Sequence, residues 1–117
     1  MSSPQQAIAH SHVDPASVGD ICVGTVLTPD PVYHARGAAL AAGFPESVPI
    51  QVVNRFCSSG LMAVTVIANQ IRSGQIEIGL AIGVESMSQK YVGPPCAPHP
   101  SVPRRVPSFT VVFFLTR

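Results

Sequence analysis

The sequence contains no tryptophan and few charged residues. Charged side chains make up 11% of the 117 residues, against about 25% in an average soluble domain. The formal net charge is only +1, and the chain has no extended run of lysine and arginine. These absences argue against nucleic acid or an acidic membrane surface as a partner. With so little polar cover, we expect a segment that is buried within a larger assembly.

Long apolar runs and recognisable targeting signals are also missing. The longest apolar run near the C-terminus, residues 111–115, is too short to span a bilayer. Residues 1–9 lack the basic start and apolar stretch of a secretory signal, and residues 115–117 do not form a Ser-Lys-Leu type of peroxisomal address. The chain has three cysteines, an odd number, and their spacing does not match that of a metal site. We therefore expect a reducing intracellular compartment, without a disulfide framework or a bound metal.

The apolar pattern predicts an α/β fold. Strands are expected at residues 20–27, 49–56 and 76–84, and helices at 33–42 and 58–73. Strands that alternate with helices predict a mostly parallel sheet with right-handed crossover helices. The predicted apolar face of the second helix consists of Leu61, Val64, Ala68 and Ile71.

The third strand is expected to have two unlike faces. Its large aliphatic side chains occupy even positions, whereas from residue 79 onward the odd positions are glycine or alanine. Because side chains alternate along a strand, one face is bulky and the other nearly bare. The bare face predicts close approach of a packed helix.

The two ends of the chain have no clear periodicity. Residues 1–13 are predicted to be a disordered start, and residues 14–90 a folded domain. Residues 91–117 contain six prolines, which remove ladder donors and block helices, so this tail is predicted to be disordered.

Cys57 is the strongest candidate for chemistry. It lies between a predicted strand and a predicted helix, where the first backbone N–H groups of the helix favour a thiolate. Small residues follow at 58–60, so a substrate could approach the sulfur. The alternative is a small apolar residue buried at a strand end. Cys22, inside a buried strand, is predicted to be inert.

Two segments, at their spacing, resemble the nucleophile region of thiolases: residues 53–61 (Val-Asn-Arg-Phe-Cys-Ser-Ser-Gly-Leu) and 83–88 (Gly-Val-Glu-Ser-Met-Ser). Residues 19–27 and 42–45 are similar to the peroxisomal type of 3-ketoacyl-CoA thiolase. The resemblance covers about residues 14–88 and implies a partial thiolase fold with an incomplete N-terminal half. It also implies a homodimer and a peroxisomal location, with the cytoplasm or mitochondria as alternatives.

The activity that this resemblance implies is acetyl-CoA C-acyltransferase, a reaction of fatty-acid β-oxidation. Cys57 would be the nucleophile that carries the acyl group as a thioester, and its own backbone N–H would belong to the oxyanion hole. Coenzyme A would be a substrate, and no cofactor or metal is implied.

Three polar residues near these motifs have alternative interpretations. Asn54 is expected to satisfy backbone groups near the cysteine. Glu85 is either a general base or, preferably, a structural carboxylate that holds the loop 85–88, which the resemblance places near the dimer interface together with Met87. Arg55 could face a CoA phosphate, although a solvated or interface arginine is the preferred interpretation.

The sequence also departs from the thiolase pattern. The family's Gly-His-Pro and Cys-x-Gly motifs, which supply a histidine and a second cysteine, do not occur, and His99 has unrelated flanks. The family's first strand and helix are not recognised before residue 14. We therefore expect this chain to be inactive alone. The alternative function is a non-catalytic fragment that binds full-length thiolase subunits, or an unstable remnant.

Overall fold

The computed structural model describes residues 13–86 and 109–116 and shows the α/β architecture that the sequence predicts. A single 3-10 turn at Pro15–Ser17 precedes the first strand. The strands are β1 (Asp20–Gly24), β2 (Ile50–Val53), β3 (Ile78–Glu85) and β4 (Phe109–Thr116). The helices are α1 (Pro31–Ala41) and α2 (Ser59–Arg72).

The four strands form one mostly parallel sheet in the order β2-β1-β3-β4. Strand β1 pairs in parallel with both β2 and β3, whereas β4 pairs antiparallel with β3. The chain moves sideways from β1 to β2 through α1, then returns across β1 to β3 through α2. Because the direction reverses, two crossovers of the same hand place their helices on opposite faces of the sheet.

The core consists of two clusters, one on each face of the sheet. Ile21 and Val23 of β1 pack in a cluster with Ala39 of α1. Cys22, which lies between them on the strand, packs on the other side with Ala63 of α2. Since adjacent side chains on a strand point to opposite faces, the molecule has three layers with the sheet in the middle.

The nearly bare face predicted for the third strand is confirmed. A Cβ added at Gly79 would lie 2.5 Å from Ile67 Cγ2, and one added at Gly83 would lie 3.2 Å from Gly60 Cα. Helix α2 therefore packs against the backbone of β3 rather than against large side chains.

The predicted apolar face of α2 is confirmed at Ile71, which is buried, and is wrong at Leu61. The buried positions are Ser59, Ala63, Ile67 and Ile71, whereas Leu61 is 69% exposed. The physical reason is the glycine-rich surface of the sheet, which favours small residues in the first turns of the helix. Leu61 lies about 200° around the helix from the buried Ser59 and therefore on the side away from the sheet.

The helix ends agree with the turn chemistry of the sequence. Gly43 and Gly74 follow the C-terminal caps of α1 and α2 with φ angles of +94° and +76°. Glycine adopts this left-handed conformation without steric cost, so the predicted helix stops are confirmed. Helix α1 begins earlier than predicted, at Pro31, because proline suits the first helical position.

The C-terminal region differs from its prediction. Disorder is predicted for residues 91–117, but Phe109–Thr116 form strand β4. The proline argument applies only as far as Pro107, and the aromatic and β-branched residues after it have strand propensity. Residues 1–12 and 87–108 lie outside the described part, so the predictions for them and the predicted domain limits stay predictions. Within residues 13–86 and 109–116, no helix has the length and apolar character needed to cross a membrane.

Candidate active site

Three chain segments meet at the carboxyl edge of the parallel strands. Strand β1 ends at Gly24 and continues into the loop 25–28, β2 ends at Val53 and continues into the turn 54–58, and β3 ends at Glu85. Parallel strands bring their carboxyl ends to one edge, where ligands of open α/β sheets bind. The candidate site is built from these three segments.

The turn before α2 has an unusual backbone at Phe56. Its φ angle is +50°, a left-handed conformation that is uncommon for a residue with a side chain. The Phe56 N–H donates to Asn54 Oδ1 at 3.0 Å, and the Phe56 carbonyl accepts from the Ser59 hydroxyl at 2.6 Å. The Ser59 hydroxyl also accepts from the Arg55 N–H at 2.8 Å. These bonds hold the turn in a strained conformation, and such strain is frequent at functional sites.

Cys57 follows this strained residue and lies just before the helix. Ser58 is the N-terminal cap of α2, and its hydroxyl donates to the Arg55 carbonyl at 2.8 Å instead of capping the helix. The Cys57 side chain is exposed and lines an open groove of about 670 Å³. Its lining residues are mainly apolar: Val26, Leu27, Phe56, Leu61, Val64, Val84 and Phe113. The buried alternative for Cys57 is therefore wrong, and its role as nucleophile stays a prediction.

Glu85 holds a different segment from the one that the sequence suggests. Glu85 Oε2 accepts from the Val26 N–H at 2.9 Å and from the Leu27 N–H at 3.4 Å, and Oε1 accepts from Leu27 at 3.3 Å. Within its own loop, Glu85 Oε1 also accepts from the Ser86 N–H, at 3.1 Å. The carboxylate therefore ties the end of β3 to the loop after β1. Because its oxygens accept backbone N–H groups, the structural interpretation is favoured over a general base.

Asn54 has the role that the sequence predicts. Its Nδ2 donates to the Val26 carbonyl at 3.4 Å, and its Oδ1 accepts from Phe56. The amide thus satisfies backbone groups on both sides of the groove. Arg55 is exposed, and its Nη1 contacts Met62 Sδ at 3.3 Å. That position agrees with the preferred interpretation of a solvated arginine, whereas contact with a CoA phosphate stays untested.

Two other candidate residues lie away from the groove. Cys22 is fully buried under α2, and burial together with the Asp20 carboxylate raises the pKa of its thiol to about 11. His34 lines a separate cavity of about 330 Å³ beside α1, on the opposite face of the sheet. Within the described ranges, no group of three or more His, Cys, Asp or Glu residues could hold a metal ion.

Two residues named from the sequence, Met87 and His99, lie outside the described ranges. Two residues of the site were not predicted from the sequence. Val26 and Leu27 were expected inside a strand, but the strand ends at Gly24 and both residues line the groove. The signal that could have found them is their place at the carboxyl end of a parallel strand.

Comparison with known proteins identifies the family. A family model described as "Thiolase, N-terminal domain" matches residues 3–107. The match extends beyond the predicted domain, residues 14–90, at both ends. The peroxisomal 3-ketoacyl-CoA thiolase of Yarrowia lipolytica is 51% identical over 85 residues, which are 72% of this chain and 20% of that protein. The human peroxisomal 3-ketoacyl-CoA thiolase is 52% identical over 82 residues, 69% of this chain and 19% of that protein.

Solved structures give the same result. The dimeric peroxisomal thiolase of Saccharomyces cerevisiae matches with a TM-score of 0.59 and 44% identity, over 74% of this chain and 21% of that one. Human mitochondrial 3-ketoacyl-CoA thiolase in complex with CoA matches with a TM-score of 0.69 and 32% identity, over 74% of this chain and 22% of that one. The chain thus spans about a fifth of the length of the curated relatives. By the extent of the family match, the chain belongs to the thiolase family, and the match is to the family's N-terminal domain.

Proposed function

We propose that this chain supplies the acyl-accepting cysteine of a thiolase-type acyltransferase acting on 3-ketoacyl-CoA. The observation that carries the proposal is the position of Cys57, exposed in an apolar groove directly before α2. The backbone N–H groups at a helix start favour negative charge, both on a thiolate and on a developing oxyanion. The apolar walls suit an acyl chain.

The proposed chemistry has two steps. The Cys57 thiolate adds to the 3-keto carbon, and the bond between C2 and C3 then breaks. Its electron pair stays on C2, which takes up a proton, so that acetyl-CoA leaves and the shortened acyl group remains on sulfur. The thiolate of a second CoA then attacks the thioester and restores the Cys57 thiolate. The chemistry uses CoA as a substrate and no metal or cofactor.

The first half of this chemistry predicts a thioester on Cys57. Incubation of the chain with acetoacetyl-CoA or acetyl-CoA should give an acetyl group on the peptide that contains Cys57, detected by peptide mass spectrometry. Hydroxylamine should remove the group, because thioesters are cleaved by this nucleophile whereas amides are stable to it.

The matched control for this experiment is Cys57→Ala, which should carry no hydroxylamine-sensitive acetyl group. Acetylation of Cys22 at the same rate, or the absence of any acetyl-cysteine in the unsubstituted chain, would contradict the proposal. Continuous release of acetyl-CoA from acetoacetyl-CoA and CoA is not expected of this chain alone. Its described histidine, His34, lines the cavity on the opposite face of the sheet from Cys57.

A second candidate function is supported by exposed apolar side chains at the groove. Phe56 is 78% exposed, Leu61 69% and Phe113 51%. Such a patch favours the alternative that the chain binds full-length thiolase subunits without catalysing a reaction. Co-purification with a tagged full-length peroxisomal thiolase should then depend on these side chains. Retention that is unchanged in Leu61→Ser would count against this alternative.

The compartment and the assembly are parts of the same proposal. Both curated relatives described above are named peroxisomal, and one matched structure is named dimeric. We propose both properties for this chain as well. Fluorescence microscopy of a tagged chain beside a peroxisomal marker tests the location.

A further inference from the structure

We propose that Glu85 and Asn54 are positioning residues that together set the acyl-binding wall of the cysteine groove. This inference rests on the proposed function, because it takes the groove as the site of acyl transfer. The wall consists of Val26 and Leu27, which line the groove together with Cys57.

The loop that carries this wall is not held by a regular ladder beyond its first residue. The Thr25 N–H still donates to the Val53 carbonyl at 3.2 Å, as an extension of the pairing between β1 and β2. Val26 and Leu27 follow after the end of β1. Their backbone groups therefore depend on side chains from elsewhere, since buried or half-buried backbone groups need partners.

Glu85 and Asn54 provide partners for the two backbone groups of Val26. Glu85 accepts the Val26 N–H at 2.9 Å, and Asn54 donates to the Val26 carbonyl at 3.4 Å. Glu85 extends from the end of β3, whereas Asn54 belongs to the turn that carries Cys57. Val26 is thus fixed relative to both the cysteine turn and the end of β3.

This arrangement links the wall to the nucleophile through Asn54. The same amide that bonds Val26 also accepts the N–H of Phe56, the strained residue before Cys57. A hydrogen bond that a carboxylate accepts from a backbone N–H is stronger than a bond between two neutral groups. Glu85 should therefore restrain Val26 more than Asn54 does. Loss of either side chain should loosen the wall while Cys57 keeps its exposure.

The test compares the rates at which N-ethylmaleimide and N-hexylmaleimide alkylate Cys57. Each rate is divided by the rate at which the same reagent alkylates reduced glutathione, and the ratio of the two normalised rates is the hexyl preference. The full chain should prefer the hexyl reagent by about tenfold, because the longer alkyl group buries more apolar area against the wall. In Glu85→Gln and in Asn54→Asp this preference should fall to about twofold. A change in the reactivity of the thiol itself alters both alkylation rates alike and cancels in their ratio.

Three further variants make the result specific. Val26→Ala shortens the wall directly and should lower the hexyl preference even if Glu85→Gln does not fold. Glu77→Gln, at an exposed position before β3, is the matched control and should keep the full preference. The double variant of Glu85 and Asn54 should lose little more than Glu85→Gln alone, because both side chains restrain the same residue.

Two outcomes would overturn the inference: no hexyl preference in the unsubstituted chain, or an unchanged preference in both Glu85→Gln and Asn54→Asp. The maleimide reaction requires only an accessible thiol beside the wall. A retained preference without any acetyl-cysteine would therefore refute the proposed acyl transfer and leave the wall intact. An acetyl-cysteine without any preference would do the reverse.

Discussion

Iodoacetamide should modify Cys57 about a hundredfold faster than Cys22 at neutral pH, since the thiolate is the reacting species and must be accessible. Cys57 is exposed in the groove, whereas Cys22 is 0% exposed between the sheet and α2. Burial and the Asp20 carboxylate also raise the pKa of Cys22 to about 11. Its labelling should therefore stay slow at neutral pH and accelerate as the pH rises toward 11. Mass spectrometry of the separate peptides measures both rates in one sample.

Urea is the control for this comparison. In the unfolded chain the two cysteines should react at similar rates, because the difference arises from tertiary structure. Equal rates in native buffer would contradict the exposed position of Cys57 and remove the basis for its proposed role. The result does not depend on acyl transfer, so it tests the site independently of the reaction.

Gly24→Ala should destabilise the chain by about 3 kcal/mol, a large share of the stability of a small domain. A Cβ at this position would overlap the Ser59 carbonyl and lie 2.7 Å from the Gly60 nitrogen. Both neighbours are backbone atoms in the first turn of α2, so neither can rotate away. Helix α2 would have to move off the sheet, and the Cys57 turn would move with it. Urea denaturation followed by far-UV circular dichroism measures the change.

The matched control is Gly37→Ala in helix α1. A Cβ at Gly37 would meet nothing within 4 Å, and alanine is the better helix former. This variant should gain roughly 0.5–1 kcal/mol of stability. Gly24→Ala with unchanged stability would show that the contact between β1 and α2 is looser than the structure has it.

The elements of this fold could be predicted from local sequence patterns. Each strand and helix before residue 86 was expected close to its observed place, because side-chain periodicity and glycine at helix ends act within a few residues. The unlike faces of β3 follow from alternation alone. Strand β4 was missed because prolines dominate the region before it, although the residues after Pro107 have strand propensity.

The candidate site could be predicted in part. Cys57 and Asn54 were found because both lie in one short turn, whereas the Val26 carbonyl that Asn54 bonds is 28 residues away along the chain. The partners of Glu85 were not found, since the Glu85 carboxylate and the Val26 N–H are 59 residues apart along the chain. The wall formed by Val26 and Leu27 was hidden for the same reason.

By itself, the sequence determined where the strands and helices before residue 86 form, where the helices stop, and which cysteine lies at a helix start, whereas the exposure of that cysteine came from the structure. The tertiary structure alone decided the strand order β2-β1-β3-β4, the buried face of α2, and the contacts that join Glu85 and Asn54 to one residue. The physical reason is range. Periodicity and capping act over one or two helical turns. Strand order and the walls of the groove depend on how the faces of helices and strands that are distant in sequence pack together.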